Sequence, residues 1–260
     1  KLLQPFNERL SNEGINDEYL DHSDLFQLCD VIISIGGDGT MLSTAYEARR
    51  FQTPLIGINF GKLGFLAEFE LKGVDDLVND LKNGDYNIEE RIALEAKSQG
   101  KNKENLFAIN DIVIDKGGWP KMIEITIKVD DDYVSTFSAD GIIVATPTGS
   151  TGYSLSTGGA IISPKADAIA ISPISPHTLT MRPLVLSSNQ KIHIRVLSQH
   201  KNVQINCDGQ RVFNYRPPLE VEINKSPIPI KLIHTKHTSY YQILRKKLFW
   251  GLDLRTNPNR

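Results

Sequence analysis

The stretch IISIGGDGTML, residues 32–42, decides how the rest of the chain is read. A run of β-branched apolar residues stops at two glycines, an acid, a third glycine and a threonine. Continuous apolar runs of this kind belong to strands buried on both faces of a parallel sheet. Glycines at such a strand end let the backbone come close to a ligand. The N–H groups of the turn, backed by the start of the next helix, suit phosphate oxygens. Gly36, Gly37, Gly39 and Thr40 therefore form a candidate phosphate loop. Asp38 in its middle has two readings: an N-cap for the helix behind it, or a carboxylate offered to a ligand. The stretch fails the dinucleotide fingerprint, because Leu42 stands where the third glycine belongs, and it fails the Walker A pattern. GINFGKLG (57–64) fails the Walker A pattern too, through its spacing and the leucine after its lysine.

Around this turn, helical and strand signals alternate. DLFQLC (24–29) is short and amphipathic. TMLSTAYEARRF (40–51) has helical spacing and carries basic residues near its end, where they complement the helix dipole. PLIGINF (54–60) is a second strand, and VDDLVNDLKNG (74–84) is an amphipathic helix that Gly84 stops. Strand, helix, strand, helix implies a parallel α/β layer. After Gly84 the pattern changes. Residues 122–147, 184–198, 203–212 and 219–235 alternate apolar and polar positions, broken by Asn, Gly and Pro, which reads as antiparallel β. YYQILRKKLFW (240–250) returns to helix or to an irregular packing segment. The expected fold class is α/β plus all-β. Residues 1–90 form an α/β nucleotide-binding domain, 91–235 an all-β domain, and the tail 236–260 packs back on the first domain.

The chain has 260 residues, 40% hydrophobic and 23% charged, with a formal net charge of -2. This is the composition of a soluble globular protein with room for two cores. The charge balance offers nothing for nucleic acid or an anionic membrane, and no apolar run approaches the length of a membrane span. Cys29 and Cys207 sit in apolar, strand-like contexts with no disulfide framework or metal-ligand spacing, so a reducing cytoplasm is the expected setting. The chain begins at Lys1 without a methionine, and a native N-terminus ahead of it is expected.

A second informative stretch is DGIIVATPTGSTGYSLSTGG (140–159). It places Thr146, Thr148, Ser150, Thr151, Ser154 and Ser156 among glycines and one aromatic, Tyr153. A Ser/Thr-rich surface loop would look similar. Hydroxyls, free N–H groups and an aromatic face directly after a strand also suit a nucleoside, its base stacked on Tyr153. NDIVI (110–114) puts Asn110, able to read a base edge, and Asp111, able to accept from a hydroxyl, before a strand; a plain turn is the equal alternative. SPISPHTLTMRP (172–183) reads as a rigid proline-rich loop. Asp130–Asp132 reads as a solvated hairpin turn. His234 and His237 fall on opposite faces of a strand and are not read as metal ligands.

Taken together, GGDGT (36–40), GKLGF (61–65), ND (110–111), the stretch 140–159, PISPHTLTMRP (173–183), DGQ (208–210) and LRKKLFW (244–250) resemble the NAD kinase family, in that family's order. GGDGT alone also looks like lipid kinases of the diacylglycerol and sphingosine type. The threonine–glycine–serine stretch with PISPHTL carries the specificity. The resemblance implies ATP-dependent phosphorylation of the adenosine ribose 2′-hydroxyl of NAD, giving NADP. It implies a Rossmann-like N-terminal domain, a C-terminal β-sandwich, a divalent metal such as Mg²⁺, and a cytoplasmic homo-oligomer, dimer or tetramer. ATP and NAD are the implied small-molecule partners.

Position by position, the resemblance makes Asp38 the catalytic proton acceptor and sets Gly39 beside NAD. Phe65 lines the adenosine pocket and Asn110 contacts adenine. Asp111 stands where the family more often has glutamate. Asp140 and Thr151, Gly152, Tyr153, Ser154, Leu155 and Ser156 match nucleoside and nicotinamide contacts. Gln210 is a further NAD contact, and Lys121 occupies a position that is often basic. Ser138 stands where some relatives carry arginine, and Gly152 replaces a common alanine. Two other functions remain open at this point: a lipid kinase with the same phosphate loop, and a non-catalytic NAD(H)-binding sensor.

Overall fold

The computed structural model describes residues 22–61, 64–67, 69–98, 106–236 and 239–249, with a short parallel pair, Leu2–Leu3 and Tyr19–Leu20. Lys62, Leu63, His237 and the end of the tail, 250–260, lie outside the described residues. The chain divides into two compact units, Lys1–Glu90 with Lys231–Arg260, and Arg91–Ile230.

In the first unit the strand Leu55–Asn59 is buried along its whole length and pairs in parallel with Ile32–Ile35, Phe69–Glu70 and Ile230–Thr235. Ile56, Ile58, Phe69, Leu77 and Ile233 make the core there. Helix Val74–Asn83 contributes Leu77 and ends at Gly84, whose left-handed backbone (φ 74°) closes the last turn on Asp80 and Leu81. A side chain at that φ would be strained, so the glycine stop is a backbone requirement.

Two readings of the sequence change. The strand Ile32–Ile35 is covered on one face only: Ile32 and Ser34 are buried, whereas Ile33 and Ile35 are 45% and 59% exposed. An apolar run announces a strand but does not say how many faces are covered. Residues 219–235 are not one antiparallel stretch. The strand ends at Lys225, Pro227 and Pro229 interrupt the ladder because they lack N–H donors, and Ile230–Thr235 joins the parallel sheet instead.

The second unit is a pair of six-stranded sheets. One runs, edge to edge, Asp132–Ala139, Ile123–Val129, Ile192–Leu197, Leu219–Lys225, Leu94–Ser98, Leu106–Ala108. The other runs Leu184–Ser187, Ala168–Ile174, Gly141–Ala145, Asp111–Asp115, Val203–Cys207, Arg211–Tyr215. Neighbouring strands within each are antiparallel. In Ile123–Val129 the isoleucines and the valine are buried and Glu124 and Lys128 are exposed, the alternation of a strand with one wet face. Ile114, Ile125, Ile142, Ile194, Ile205 and Ile223 meet in the shared core. Each such side chain contributes roughly 1.5–3 kcal/mol. Gly141–Ala145 is buried on both faces, because Ile143 and Ala145 pack with Val113 on the side away from that core. The chain leaving this doubly covered strand is the hydroxyl-rich loop. Asp130 (φ 53°) turns the hairpin between Ile123–Val129 and Asp132–Ala139.

Candidate active site

Asp38 is the first residue of helix Asp38–Ala48, and its carboxylate turns away from that helix. It accepts three consecutive backbone N–H groups: Phe65 donates to Oδ2 at 2.9 Å, Leu66 to Oδ1 at 3.0 Å and Ala67 to Oδ1 at 3.2 Å. Of its two sequence readings, N-cap and ligand-facing acid, the first is replaced by a carboxylate cradled by a distant turn. Gly64 makes the cradle possible, because a Cβ there would lie 1.9 Å from Asp38 Oδ1. The side chain stays 31% exposed, and Lys247 Nζ lies 3.7 Å from Oδ2. The same ammonium sits 4.5 Å from the centre of the Phe65 ring, a cation–π distance.

The glycines of the opening turn divide their work. A Cβ on Gly36 (φ +156°) would strike Thr40 Oγ1 at 2.4 Å, whereas one on Gly37 would meet nothing within 4 Å. Gly36 serves the turn itself, and the clearance lies over Gly37. Gly39 and Thr40 are exposed in the first helical turn, where N–H groups lie beyond the reach of the helix's own ladder.

In the second unit the sequence motifs 110–111 and 146–152 come together. Thr146 donates its N–H to Asn110 O (2.9 Å) and its hydroxyl to Ile109 O (2.6 Å). At Gly149 a Cβ would lie 2.1 Å from Asn110 O, so only hydrogen fits. Ser150 donates to Pro147 O (2.6 Å) and accepts from the Ile162 N–H (3.0 Å). Ser154 shares a 3.0 Å hydrogen bond with Ser172. Thr146, Ser150 and Ser154 are fully buried. These hydroxyls hold the loop rather than face solvent, and Ser154, buried as a whole residue, serves the packing of the loop. Thr151 and Leu155 are half-buried, Gly152, Tyr153 and Ser156 exposed. Arg91, buried, donates to Thr148 Oγ1 at 3.4 Å.

Asp208 pins the 109–111 turn. Its fully buried carboxylate accepts N–H groups from Ile109 (2.9 Å), Asn110 (2.7 Å) and Asp111 (3.4 Å), and Arg211 Nη2 at 2.8 Å. Arg211 also donates to Phe107 O at 2.9 Å. Burial, and secondarily the negative charge of Asp208, pushes the Asp111 carboxyl up to about 7. Burial raises Asp208 as well, opposed by its N–H donors and Arg211. Asp111 is thus the member of the pair that keeps its proton into the neutral range. Asn110 Oδ1 is buried and meets no donor among the described residues. A buried acceptor without a partner is costly, and a ligand donor would relieve it.

Asp140 lies at the far end of the strand that leads into this loop, and Lys121 and Gln210 lie in other turns, Gln210 two residues after Asp208. Asp140 precedes Gly141–Ala145 while Thr146 follows it, so the strand separates them by roughly 20 Å at about 3.3 Å per residue. Its carboxylate is bound to Lys116 Nζ at 2.5 Å. Lys121 is exposed in the bend before Ile123–Val129. Gln210 is exposed in the turn after Asp208, its N–H on Cys207 O at 3.1 Å. Sequence reasoning passed over Gly64, Asp208 and Lys247; DGQ was read for its glutamine, while its aspartate organises the turn. Among the described residues no three His, Cys, Asp or Glu side chains gather to hold a metal ion, and no helix is long and apolar enough to cross a membrane.

Residues 8–86 match the family description "ATP-NAD kinase N-terminal domain", and residues 109–235 match "ATP-NAD kinase C-terminal domain". An NAD kinase from Clostridium botulinum (strain Kyoto / Type A2) is 43% identical over 253 residues, covering 95% of this chain and 89% of that protein. The crystal structure of yeast NADH kinase complexed with NADH is similar with a TM-score of 0.84 and 26% identity, over 96% of this chain and 78% of that one. An NAD kinase from Archaeoglobus fulgidus in complex with ATP gives 0.75 and 26%, over 95% and 94%.

Proposed function

The chain belongs to the NAD kinase family, and we infer from this that it transfers the γ-phosphoryl group of ATP to the 2′-hydroxyl of the adenosine ribose of NAD, giving NADP. The observation that carries the chemistry is the Asp38 carboxylate. Three N–H groups fix it, and its Oδ2 edge remains open. Phosphoryl transfer asks a protein for positioning and charge more than for covalent help. Asp38 accepts the hydroxyl proton as the new O–P bond forms and the bond to ADP breaks, which contributes roughly 10²–10⁴ in rate. Gly36 gives its N–H to Ile58 O at 2.9 Å, and the N–H groups that follow it at the helix start are the ones offered to the phosphates.

Asn110 and Asp111 take the adenosine. Tyr153 offers its face to a ring, and Thr151, Gly152, Leu155 and Ser156 complete the nucleoside contacts of the second unit; Gly39 and Phe65 are kept as NAD contacts on the family resemblance. Ser154 holds the loop through Ser172. Lys121, Asp140 and Gln210 are retained on the family resemblance alone. A divalent ion such as Mg²⁺ would neutralise phosphate charge; among the described residues no three His, Cys, Asp or Glu side chains gather to hold it. A homo-oligomer and a cytoplasmic setting are further proposals, the first tested by sedimentation.

The deciding experiment follows NADP formation from NAD with ATP, beside Asp38→Asn. The parent should form NADP, and the variant should lose at least about 10² in turnover while binding NAD within a few-fold. NAD binding without NADP formation by the parent would make the chain a sensor, and near-normal turnover in Asp38→Asn would remove the base.

A further inference from the structure

We propose that Lys247 serves the reaction as a positioning residue, the counter-ion that keeps Asp38 aimed and tolerable beside the phosphates. The proposal rests on the reading of Asp38 as proton acceptor and deepens it. Lys247 comes from the last turn of helix Tyr240–Leu248, far from Asp38 in sequence. Ile243 and Leu244 are buried and seat that helix, so the backbone carrying Lys247 is fixed; the exposed Lys246 beside it pairs with Glu70 at 2.9 Å. Its ammonium lies 3.7 Å from Asp38 Oδ2 and 4.5 Å from the Phe65 ring centre, and Phe65 donates its own N–H to that same oxygen. Carboxylate, ring and ammonium form one cluster within the first unit.

The two oxygens of Asp38 are not equivalent. Oδ1 takes two N–H donors, from Leu66 and Ala67. Oδ2 takes one, from Phe65, and faces Lys247 beyond normal hydrogen-bond length. Oδ2 therefore keeps the lone pair that can reach a substrate hydroxyl. A carboxylate at that place meets a difficulty: the donor's polyphosphate is strongly negative and repels it. A cation beside Oδ2 offsets the repulsion while the hydroxyl is still protonated. In the transfer the O–H bond breaks and its proton goes to Oδ2. The hydroxyl oxygen forms its bond to phosphorus, and the electron pair of the breaking P–O bond leaves with the diphosphate product. Asp38 is then neutral, and the charge of Lys247, which gives up no proton, is left facing the phosphoryl oxygens. The cation acts throughout by opposing negative charge, so an arginine would serve and an apolar chain of similar length would not.

The test compares steady-state kinetics of Lys247→Met, Lys247→Arg and Lys246→Met with the parent and Asp38→Asn, with melting temperatures for all. Lys247→Met should lose at least about 10-fold in kcat with its KM for NAD within about three-fold, since the loss falls on transition-state charge. Lys247→Arg should return to within a few-fold of the parent. Lys246→Met removes a neighbouring cation that pairs with Glu70 and should stay within about two-fold. Equal losses in Lys246→Met and Lys247→Met, or no rescue by arginine, would reduce Lys247 to a helix-packing residue and overturn the proposal. A parent-like Lys247→Met beside a crippled Asp38→Asn would sink the counter-ion role alone. A parent-like Asp38→Asn would take both readings down.

Discussion

Asp38 in the first unit and Asp208 in the second use the same local device. Each carboxylate gathers three consecutive backbone N–H groups from a turn distant in sequence, 65–67 in one case and 109–111 in the other. They differ in what completes them. Asp208 is fully buried and closed by Arg211 at 2.8 Å, so its lone pairs are spoken for. Asp38 is 31% exposed, and Lys247 stands off at 3.7 Å. A carboxylate satisfied on all sides fixes a backbone; one satisfied on a single edge is fixed in place with another edge left for chemistry. The same donors thus give a structural clamp in one unit and a candidate catalytic acid–base group in the other, and burial decides which.

The comparison breaks most visibly at the closed member. Asp208→Ala leaves the three N–H groups of the 109–111 turn without their acceptor and takes the carboxylate, though not the Phe107 carbonyl, from Arg211. The expected loss is about 3–5 kcal/mol of stability, read by urea unfolding. A loss below about 1 kcal/mol would mean that Asp208 fixes nothing.

The neighbour of the clamp supplies the next largest effect. Asp111 in the folded protein titrates at about 7, well above an exposed carboxylate, first because it is buried and then because Asp208 is near. Between about pH 4 and about pH 7 the folded protein therefore holds a proton that the unfolded chain has lost. The contribution of Asp111 to stability falls as pH rises through that window, by at most about 1.4 kcal/mol per unit, and levels off above it. Asp111→Asn keeps the shape and removes the charge. It should flatten this part of the pH–stability curve and stabilise the protein at pH 8, as measured by denaturation at pH 5 and pH 8. Identical slopes in parent and variant would place the titration elsewhere.

At the open member, Gly64→Ala is the sharper tool, because it displaces Asp38 without changing its chemistry. The added Cβ would fall 1.9 Å from Oδ1, so the carboxylate or the turn must move. A shift of about 1 Å in a reacting group costs on the order of 10²-fold in turnover. The melting temperature should change little, since the site is partly open. A parent-like kcat would show that Asp38 need not be aimed.

These partners also mark where the sequence stopped being legible. The glycine turn, the parallel start of the chain, the antiparallel remainder and the hydroxyl-rich loop all follow from local periodicity and turn chemistry. The three N–H donors of Asp38 lie in a turn around residue 65, and those of Asp208 nearly a hundred positions upstream. No local pattern records a contact of that separation. Lys247 looks like one of three basic residues closing a helix, a placement the helix dipole explains by itself. The hydroxyls of 146–156 were legible as a cluster but not by role, because a buried serine bonded to Ser172 and an exposed one facing solvent are the same letter. The burial of Ile32–Ile35 on one face only was hidden for a similar reason.

The smallest effect tests the part of the second unit that stays open. Tyr153 opens the short helix Tyr153–Ser156 with its side chain 48% exposed, while Ser154 beside it is fully buried. The ring is half in water on an otherwise anchored loop, so its face is open to a ligand. As the stacking platform for a nucleoside ring, its replacement by alanine should weaken NAD binding by about 1 kcal/mol, roughly five-fold in Kd by calorimetry. Tyr153→Phe should bind like the parent, because the face and not the hydroxyl does the stacking. Loss in both variants would move the contact from the ring to the hydroxyl; loss in neither would return the open edge of this loop to plain surface and leave Asn110 and Asp111 as its recognition elements.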